Sequence, residues 1–567
     1  MRIELVNPTT GEAAGGYETS CREDVLAIAR QAREAYYEWR DVDVTERARL
    51  FFRLAAALRD SLETNARHIA TEMGKPIAQS RAEIEKCAWL AEIYAEYGPD
   101  WLAEETVDAD GIENLVVFEP LGVILSIMPW NFPFWQALRF GVPAVLAGNA
   151  SLLKHARNVP QCALAIERAF REAGFPPNIF RAIFTDHKTV SGLFKGEWIQ
   201  GVSLTGSTEA GARIAETAGR ALKKVVLELG GSDAFIVLDD ADVEFAARQA
   251  VAGRMINTGQ SCIAAKRFIV AEPLVEAFTE RFAAGMEALV VGDPQEESTE
   301  VGPLVDEEAV TQLARQVEQS VSMGARVVTG GRRLERPGFY FAPTVVANAN
   351  AQMPVVLEEV FGPIAPVIAA KDDDDAVRIA NASPFGLGAS VWTPDLRRGE
   401  RLLRRLEVGT TFVNSVVKSD PRMPFGGVKQ SGFGRELSHF GLREFVNVKG
   451  ISIHAHGQQQ VPATKASTKR AVTGEVKPAT KAPAKRATKA PTKRETTAAA
   501  KRGKRTAGHT TTIPPKRTPK SAAKRSSKGK PSSGRTPAKR TVGKKAPSKK
   551  TRSLRGGRGA GVSRAGK

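Results

Sequence analysis

Apolar positions recur at three- and four-residue spacing early in the chain and then give way to short unbroken runs. Val25, Ile28, Ala29, Ala32 and Tyr36 fall on one helical face. The preceding Ser20-Cys21-Arg22-Glu23 fits a capping box, with the hydroxyl and the carboxylate three residues apart. Leu50, Phe51, Leu54, Ala55 and Leu58 predict a second amphipathic helix, and a third is expected over 82–97. From about residue 115 strand-like runs appear at 115–119, 123–128, 151–154, 180–184, 201–204 and 224–228. Helix-like runs such as 161–173 and 209–219 separate most of them. Alternation at this spacing predicts a parallel sheet with helical crossovers, which binds ligands beyond the carboxyl ends of its strands.

A second α/β stretch is expected to follow. It begins with a strand at 234–238, a helix at 242–256 and a strand at 266–270, and continues with strands at 326–328, 366–369 and 409–414. The acidic run from Asp372 to Asp375 stands ahead of Ala376-Val377-Arg378-Ile379 and reads as a solvated helix N-terminus, where negative charge suits the dipole.

Charge divides the chain in a way periodicity does not. The net charge is +18, but residues 461–567 carry 33 Lys and Arg against 2 Asp and Glu, so the rest is net −13. An acidic body therefore carries a basic tail. From 457 onward there is no Phe, Tyr or Trp, and 461–567 holds only seven Val, Ile or Leu. Such a polymer cannot offset its chain entropy by burial, so disorder is expected over 457–567. Its Ala/Pro/Lys near-repeats resemble linker-histone tails. Non-specific, salt-sensitive binding to DNA or RNA is one expectation; a solvated tail without a dedicated partner is the other.

Four cysteines without a C-x-x-C pair do not make a disulfide framework. The start of the chain lacks a signal-peptide core, and the longest apolar stretch is too short to cross a membrane. A cytoplasmic protein is expected, with nucleoid association through the tail as an additional reading. The scattered histidines suggest no metal site.

The chemistry is spread over several motifs. Thr205-Gly206-Ser207-Thr208-Glu209-Ala210-Gly211 joins a strand to a helix, and its glycines would let backbone approach a phosphate at the helix N-terminus. Alone it is more commonly just a turn. Glu228, before Leu229-Gly230-Gly231, is a possible general base or a solvated strand end. Cys262, in Asn257-Thr258-Gly259-Gln260-Ser261-Cys262, is a nucleophile or a small buried hydrophobe. A papain-like or caspase-like hydrolase would need a histidine partner and its own local signature, and neither is found.

Read together, these motifs say more. Pro129-Trp130-Asn131-Phe132-Pro133, the Gly206 turn, Glu228-Leu229-Gly230-Gly231, Gly259-Gln260-Ser261-Cys262, Glu358-Glu359-Val360-Phe361-Gly362-Pro363 and Pro424-Phe425-Gly426-Gly427 occur in that order. The set resembles the aldehyde dehydrogenase superfamily over residues 5–453, most closely its bacterial succinate-semialdehyde dehydrogenases. The resemblance implies an α/β fold with a Rossmann-type cofactor domain (1–105 and 121–230), a catalytic domain (231–442) and a small β oligomerisation element (106–120 and 443–455). It implies a homodimer or homotetramer. Cys262 would attack the aldehyde, Asn131 and the Cys262 N–H would hold the oxyanion, and Glu228 would activate water.

Trp130, Lys154, Gly206, Ser207, Leu229, Glu359 and Phe361 would bind NADP or NAD. Arg157 stands where many NAD-preferring relatives have glutamate, which favours NADP, since a cation suits a 2′-phosphate. Arg139 matches a carboxylate-binding arginine. A second such arginine of some relatives is replaced by Ile256, with Arg254 two residues earlier, and segment 417–422 departs from the family pattern. Ala264 excludes a disulfide switch two residues after the nucleophile. The alternative function class is a nucleic-acid-associated protein whose enzyme body serves as an oligomeric scaffold.

Overall fold

The computed structural model describes residues 2–456; the expected disorder of 457–567 lies outside the described residues. Two parallel sheets organise the body. In the first, Lys224–Glu228, Gly201–Thr205, Val123–Met128, Ala150–His155 and Phe180–Ala182 lie side by side in that order, all parallel. The chain builds outward from Val123–Met128 in one direction and then crosses to Gly201–Thr205 on its other side. The order therefore reverses between these two strands, and the turns leaving them carry Asn131 and Gly206. A two-residue strand, Gly432–Phe433, closes the outer edge by pairing antiparallel with Lys224–Glu228.

The second sheet has seven strands. Asp233–Val237 and Ala265–Ala271 are central, flanked by Ile364–Ala370, Thr344–Ala347 and Arg326–Thr329 on one side and by Gly388–Trp392 and Thr410–Val413 on the other. All pairs are parallel except the outermost, between Arg326–Thr329 and Thr344–Ala347. The central strands Asp233–Val237 and Ala265–Ala271 are buried along nearly their whole length, their charged Asp233, Lys266 and Arg267 included, as expected of a parallel sheet covered on both faces.

The helices at the start of the chain pack on the first sheet. Arg22–Trp39 buries Val25, Ala29, Ala32, Tyr36 and Trp39. Full burial of a side chain such as that of Val25 contributes about 1.5–3 kcal/mol. Its capping box is shifted by one residue from the sequence reading: Cys21 is the cap, its Sγ accepting from Asp24 N at 3.4 Å. The extended backbone at Cys21 (φ −70°, ψ 170°) brings its thiol to Asp24 N, and Asp24 Oδ2 accepts from Cys21 N at 3.2 Å in return. The helix expected over 242–256 ends at Arg254, where the chain tightens into Ile256–Gly259. Asp372 caps the helix Asp373–Asn381 by accepting from Asp375 N at 2.8 Å.

A third, antiparallel sheet joins Glu105–Thr106, Glu113–Pro120 and Val446–Ile453. Its edge strand, Val446–Ile453, exposes Val448, Ile451 and Ile453. Among the described residues, no helix is long and apolar enough to cross a membrane.

Candidate active site

The segment bearing Cys262 is held in an unusual conformation. Asn257, Thr258 and Gly259 have φ of 52°, 57° and 77°, three left-handed residues in succession. Non-glycine residues adopt this region at a cost and persist there only when their surroundings over-determine them. Here they do. Asn257 N donates to Gln79 Oε1 at 2.8 Å, Gly302 N donates to Thr258 Oγ1 at 3.0 Å, and Gln260 Oε1 accepts from Val305 N at 3.0 Å. A Cβ on Gly259 would stand 2.3 Å from Gly362 O, so only glycine fits.

Arg254 fastens this segment from beneath. Its guanidinium is wholly buried and donates to the carbonyls of Ala265, Gly259, Val360 and Gly362. It therefore ties the cysteine loop to the loop bearing Glu359 and Phe361. Its hydrogen bonds all go to backbone carbonyls, although its Nε finds no partner, and Ile256, not Arg254, reaches the cavity described below.

Lys266 sets the direction of the peptide groups. Its Nζ donates to Ser261 O and Cys262 O, each at 2.7 Å, and pairs with Glu359 at 3.4 Å. A trans peptide points its C=O and N–H in opposite directions. The hold on Ser261 O therefore aims the Cys262 N–H away from Lys266, and among the described residues that N–H makes no hydrogen bond. The Asn131 side-chain amide donates to Gln260 O at 3.1 Å, and Asn131 O accepts from Asn257 Nδ2 at 2.8 Å. Asn131 and the cysteine segment thus form one bonded unit.

Glu83 fixes the other side of Asn131. Its Oε1 accepts from Phe134 N and Trp135 N at 2.9 and 3.0 Å, satisfying the first turn of the helix Pro133–Leu146. Its other oxygen pairs with the buried Lys75.

Burial raises the Cys262 thiol pKa to about 11; Lys266 and Arg139 oppose the rise, while Glu359 and Asp233 add to it. Burial also pushes the Glu228 carboxyl well above its ordinary range, with Arg139 opposing and Glu436 adding. Glu228 ends its strand at 2% exposure, and its Oε1 has no hydrogen-bond partner. It is turned toward Gly426, where a Cβ would stand 2.7 Å from that oxygen.

The cofactor residues of the sequence reading gather around the first sheet's switch point. Gly206 N donates to Glu228 O at 3.0 Å, and Ser207 caps the helix Thr208–Arg220. Leu229 packs with Leu204 and Leu227; a Cβ on Gly211 would meet its side chain at 2.5 Å, so that glycine lets the helix approach the sheet. Lys154 is buried, and burial, then the Arg157 charge, lowers its pKa. Arg157 is exposed. His187 feels the charges of Lys154, Arg157 and Arg213, so cations converge here. Glu359 accepts from Gly231 N at 3.0 Å. Trp130 and Phe361 meet edge to face at 5.8 Å. An open helix N-terminus, a convergent cationic patch and an aromatic pair suit a dinucleotide carrying an extra phosphate.

A cavity of about 250 Å³ opens on Cys262. Phe132, Trp135, Ile256, Ile263, Val417 and Phe425 give it apolar walls, and Glu83, Lys86 and Arg139 are among its charged members. Arg139 is almost fully buried, paired with Glu436 and set 4.7 Å from the Phe425 ring centroid. Sequence reasoning did not single out Lys266, Glu436, Gln260 or Lys86. Gln260 and Lys266 fall within the distinctive run 257–267, and Glu436 ends Ser431-Gly432-Phe433-Gly434-Arg435-Glu436, which also carries the resemblance; Lys86 has no local signal.

The profile of the aldehyde dehydrogenase family matches residues 1–451, and the chain belongs to that family. It is 46% identical over 446 residues to the succinate semialdehyde dehydrogenase [NAD(P)+] Sad of Escherichia coli strain K12, covering 79% of this chain and 96% of that one. It is 43% identical over 456 residues to succinate-semialdehyde dehydrogenase [NADP(+)] 1 of Mycobacterium tuberculosis strain H37Rv, covering 80% of this chain and all of that one. The crystal structure of succinic semialdehyde dehydrogenase from Streptococcus pyogenes in complex with NADP+ superposes with a TM-score of 0.78 at 33% identity, covering 80% of this chain and 100% of that chain.

Proposed function

We propose that this enzyme oxidises succinate semialdehyde to succinate, with NADP preferred over NAD. The observation that carries the reading is the single bonded unit of Asn131 and the Cys262 loop, opening on a short cavity that also holds cations. The names of its relatives point to the same substrate.

In this reading Cys262 Sγ attacks the aldehyde carbon, and its proton passes to Glu228, whose raised pKa makes it a capable acceptor. The free Cys262 N–H and the second N–H of the Asn131 amide receive the oxyanion of the thiohemiacetal. Lys154 and Arg157 would hold the adenosine ribose and its phosphate, Gly206 and Ser207 the pyrophosphate, Glu359 the second ribose, and Trp130, Leu229 and Phe361 the remaining surfaces. The bound nicotinamide supplies a hydride acceptor. After giving up the thiol's proton to solvent, Glu228 takes a proton from water, which attacks the Cys262 thioester; the C–S bond breaks, the acid leaves, and the proton held by Glu228 returns to Cys262 Sγ. Its unpartnered oxygen leaves it free to turn from Gly426 toward the thiol.

The exposed apolar residues of Val446–Ile453 support subunit pairing through that edge, as a homodimer or homotetramer. For 457–567, the composition supports non-specific nucleic-acid binding: 33 cations, 2 anions and no aromatic ring to stack on bases. Gel shifts of the full chain and of a chain ending at Gln460, run across a salt series, test this; equal affinity overturns it.

Steady-state NADPH and NADH formation with a panel of aldehydes tests the enzymatic reading. The highest kcat/KM is expected with succinate semialdehyde and NADP, with loss of turnover in Cys262→Ala. Preference for a neutral aldehyde would overturn it.

A further inference from the structure

Apart from the exposed Lys418, the charges lining the cavity are matched in pairs, with one left over. Arg139 is paired with Glu436, and Lys75 with Glu83. Arg422 holds Asp420 through bonds of 2.9 and 2.7 Å. Lys86 feels both Glu83 and Asp420, yet among the described residues it pairs with no carboxylate. Among the described residues its one hydrogen bond is to a neutral hydroxyl, Ser419 Oγ, at 2.8 Å. Its Nζ stands 4.0 Å from the Trp135 ring centroid. An ammonium has three donors, so two remain. Burial, with the Arg139 charge adding, lowers its pKa to about 8, as expected of a cation without a counter-ion.

We propose that Lys86, with Ser419, binds the far carboxylate of the substrate and so selects a short aldehyde acid. The inference rests on the substrate class proposed above. Lys86 and Ser419 line the same cavity as Cys262, so a short aldehyde acid engages the thiol at one end and the ammonium at the other. Once Lys86 donates to the carboxylate, the Ser419 hydroxyl keeps its own proton to donate. Arg139 meets the pocket with its charge already matched by Glu436, so it has less to gain from a second anion. The neighbouring Lys418 also lines the cavity but is exposed, where water and salt screen it. Removing a charged hydrogen-bond partner costs about 1.5–3 kcal/mol, or about 10- to 100-fold.

The test compares kcat/KM for succinate semialdehyde and for butanal, with NADP, in the full chain. In Lys86→Met the ratio of the two is expected to fall about 10- to 100-fold, through a raised KM for the semialdehyde. Lys86→Gln, which keeps a polar contact to Ser419, is expected to show the same fall and serves if the Met variant does not fold. Lys86→Arg is expected to restore the ratio to within about threefold. A purely structural lysine would change both substrates alike. An unchanged ratio in Met and Gln, with the unaltered chain preferring the semialdehyde, overturns the role of Lys86 alone. A ratio near one in the unaltered chain overturns the substrate class and this assignment with it.

Discussion

The side-chain amide of Asn131 donates to the backbone carbonyl of Gln260 at 3.1 Å, across 129 residues of sequence. One amide hydrogen is committed to orienting the group, which leaves the other to meet an oxyanion. Asn131→Ala removes both functions. The expected loss in kcat is about 100- to 1,000-fold, the magnitude of a single oxyanion donor. Steady-state kinetics measure it, and a loss below tenfold would place the oxyanion elsewhere.

Glu228 is the proposed base for hydrolysis of the thioester. Glu228→Gln keeps the shape and removes the basicity. Steady-state turnover is expected to fall about 100- to 10,000-fold. Rapid-mixing experiments should retain NADPH formation in the first turnover more fully than later ones, because deacylation is the step most dependent on a base. Equal loss in both phases would count against the assignment.

The Cys262 thiol, raised to about 11 by burial, is protonated at neutral pH. Thiolate is the reactive form, so alkylation should accelerate as pH rises. Inactivation of the cofactor-free enzyme by iodoacetamide is expected to quicken about tenfold per unit between pH 7 and 9, without levelling. A plateau below pH 8 would show that the thiol ionises earlier than its surroundings dictate.

Arg157 is exposed and adds to the cationic patch around Lys154 and His187. Arg157→Glu replaces attraction for a 2′-phosphate with repulsion. The ratio of kcat/KM for NADP to that for NAD should fall about 10- to 100-fold, and the fall should shrink at high salt. An unchanged ratio would show that Arg157 points away from the phosphate.

What could be read without coordinates followed from local pattern. The strands at 123–128 and 224–228 were bounded correctly because apolar runs there end at turn residues. Those ends carry the Asn131 turn and Glu228. Thr344–Ala347 and Gly388–Trp392 escaped notice. The first is four residues long, and the second opens on Gly-Ala-Ser, so neighbours on both sides, not propensity, make it a central strand. Gly432–Phe433 is a strand only because Leu227 and Glu228 lie beside it. The same limit applies to charge. Arg139 and Glu436 look independent in sequence, and pairing across the fold is what leaves Lys86, among the described residues, as the cavity's non-exposed cation without a carboxylate.

The left-handed run at Asn257–Gly259 has a consequence for the life of the chain before it is finished. The groups that hold it come from distant sequence: Gln79, Gly302, Pro303, Val305 and, through Arg254, Val360 and Gly362. A nascent or partly opened chain lacks those holds, so Cys262 is then an ordinary thiol without an aligned amide beside it. Acylating power appears only on completion. Incomplete chains therefore lack the aligned oxyanion donor, and recovered activity is a sensitive gauge of correct refolding.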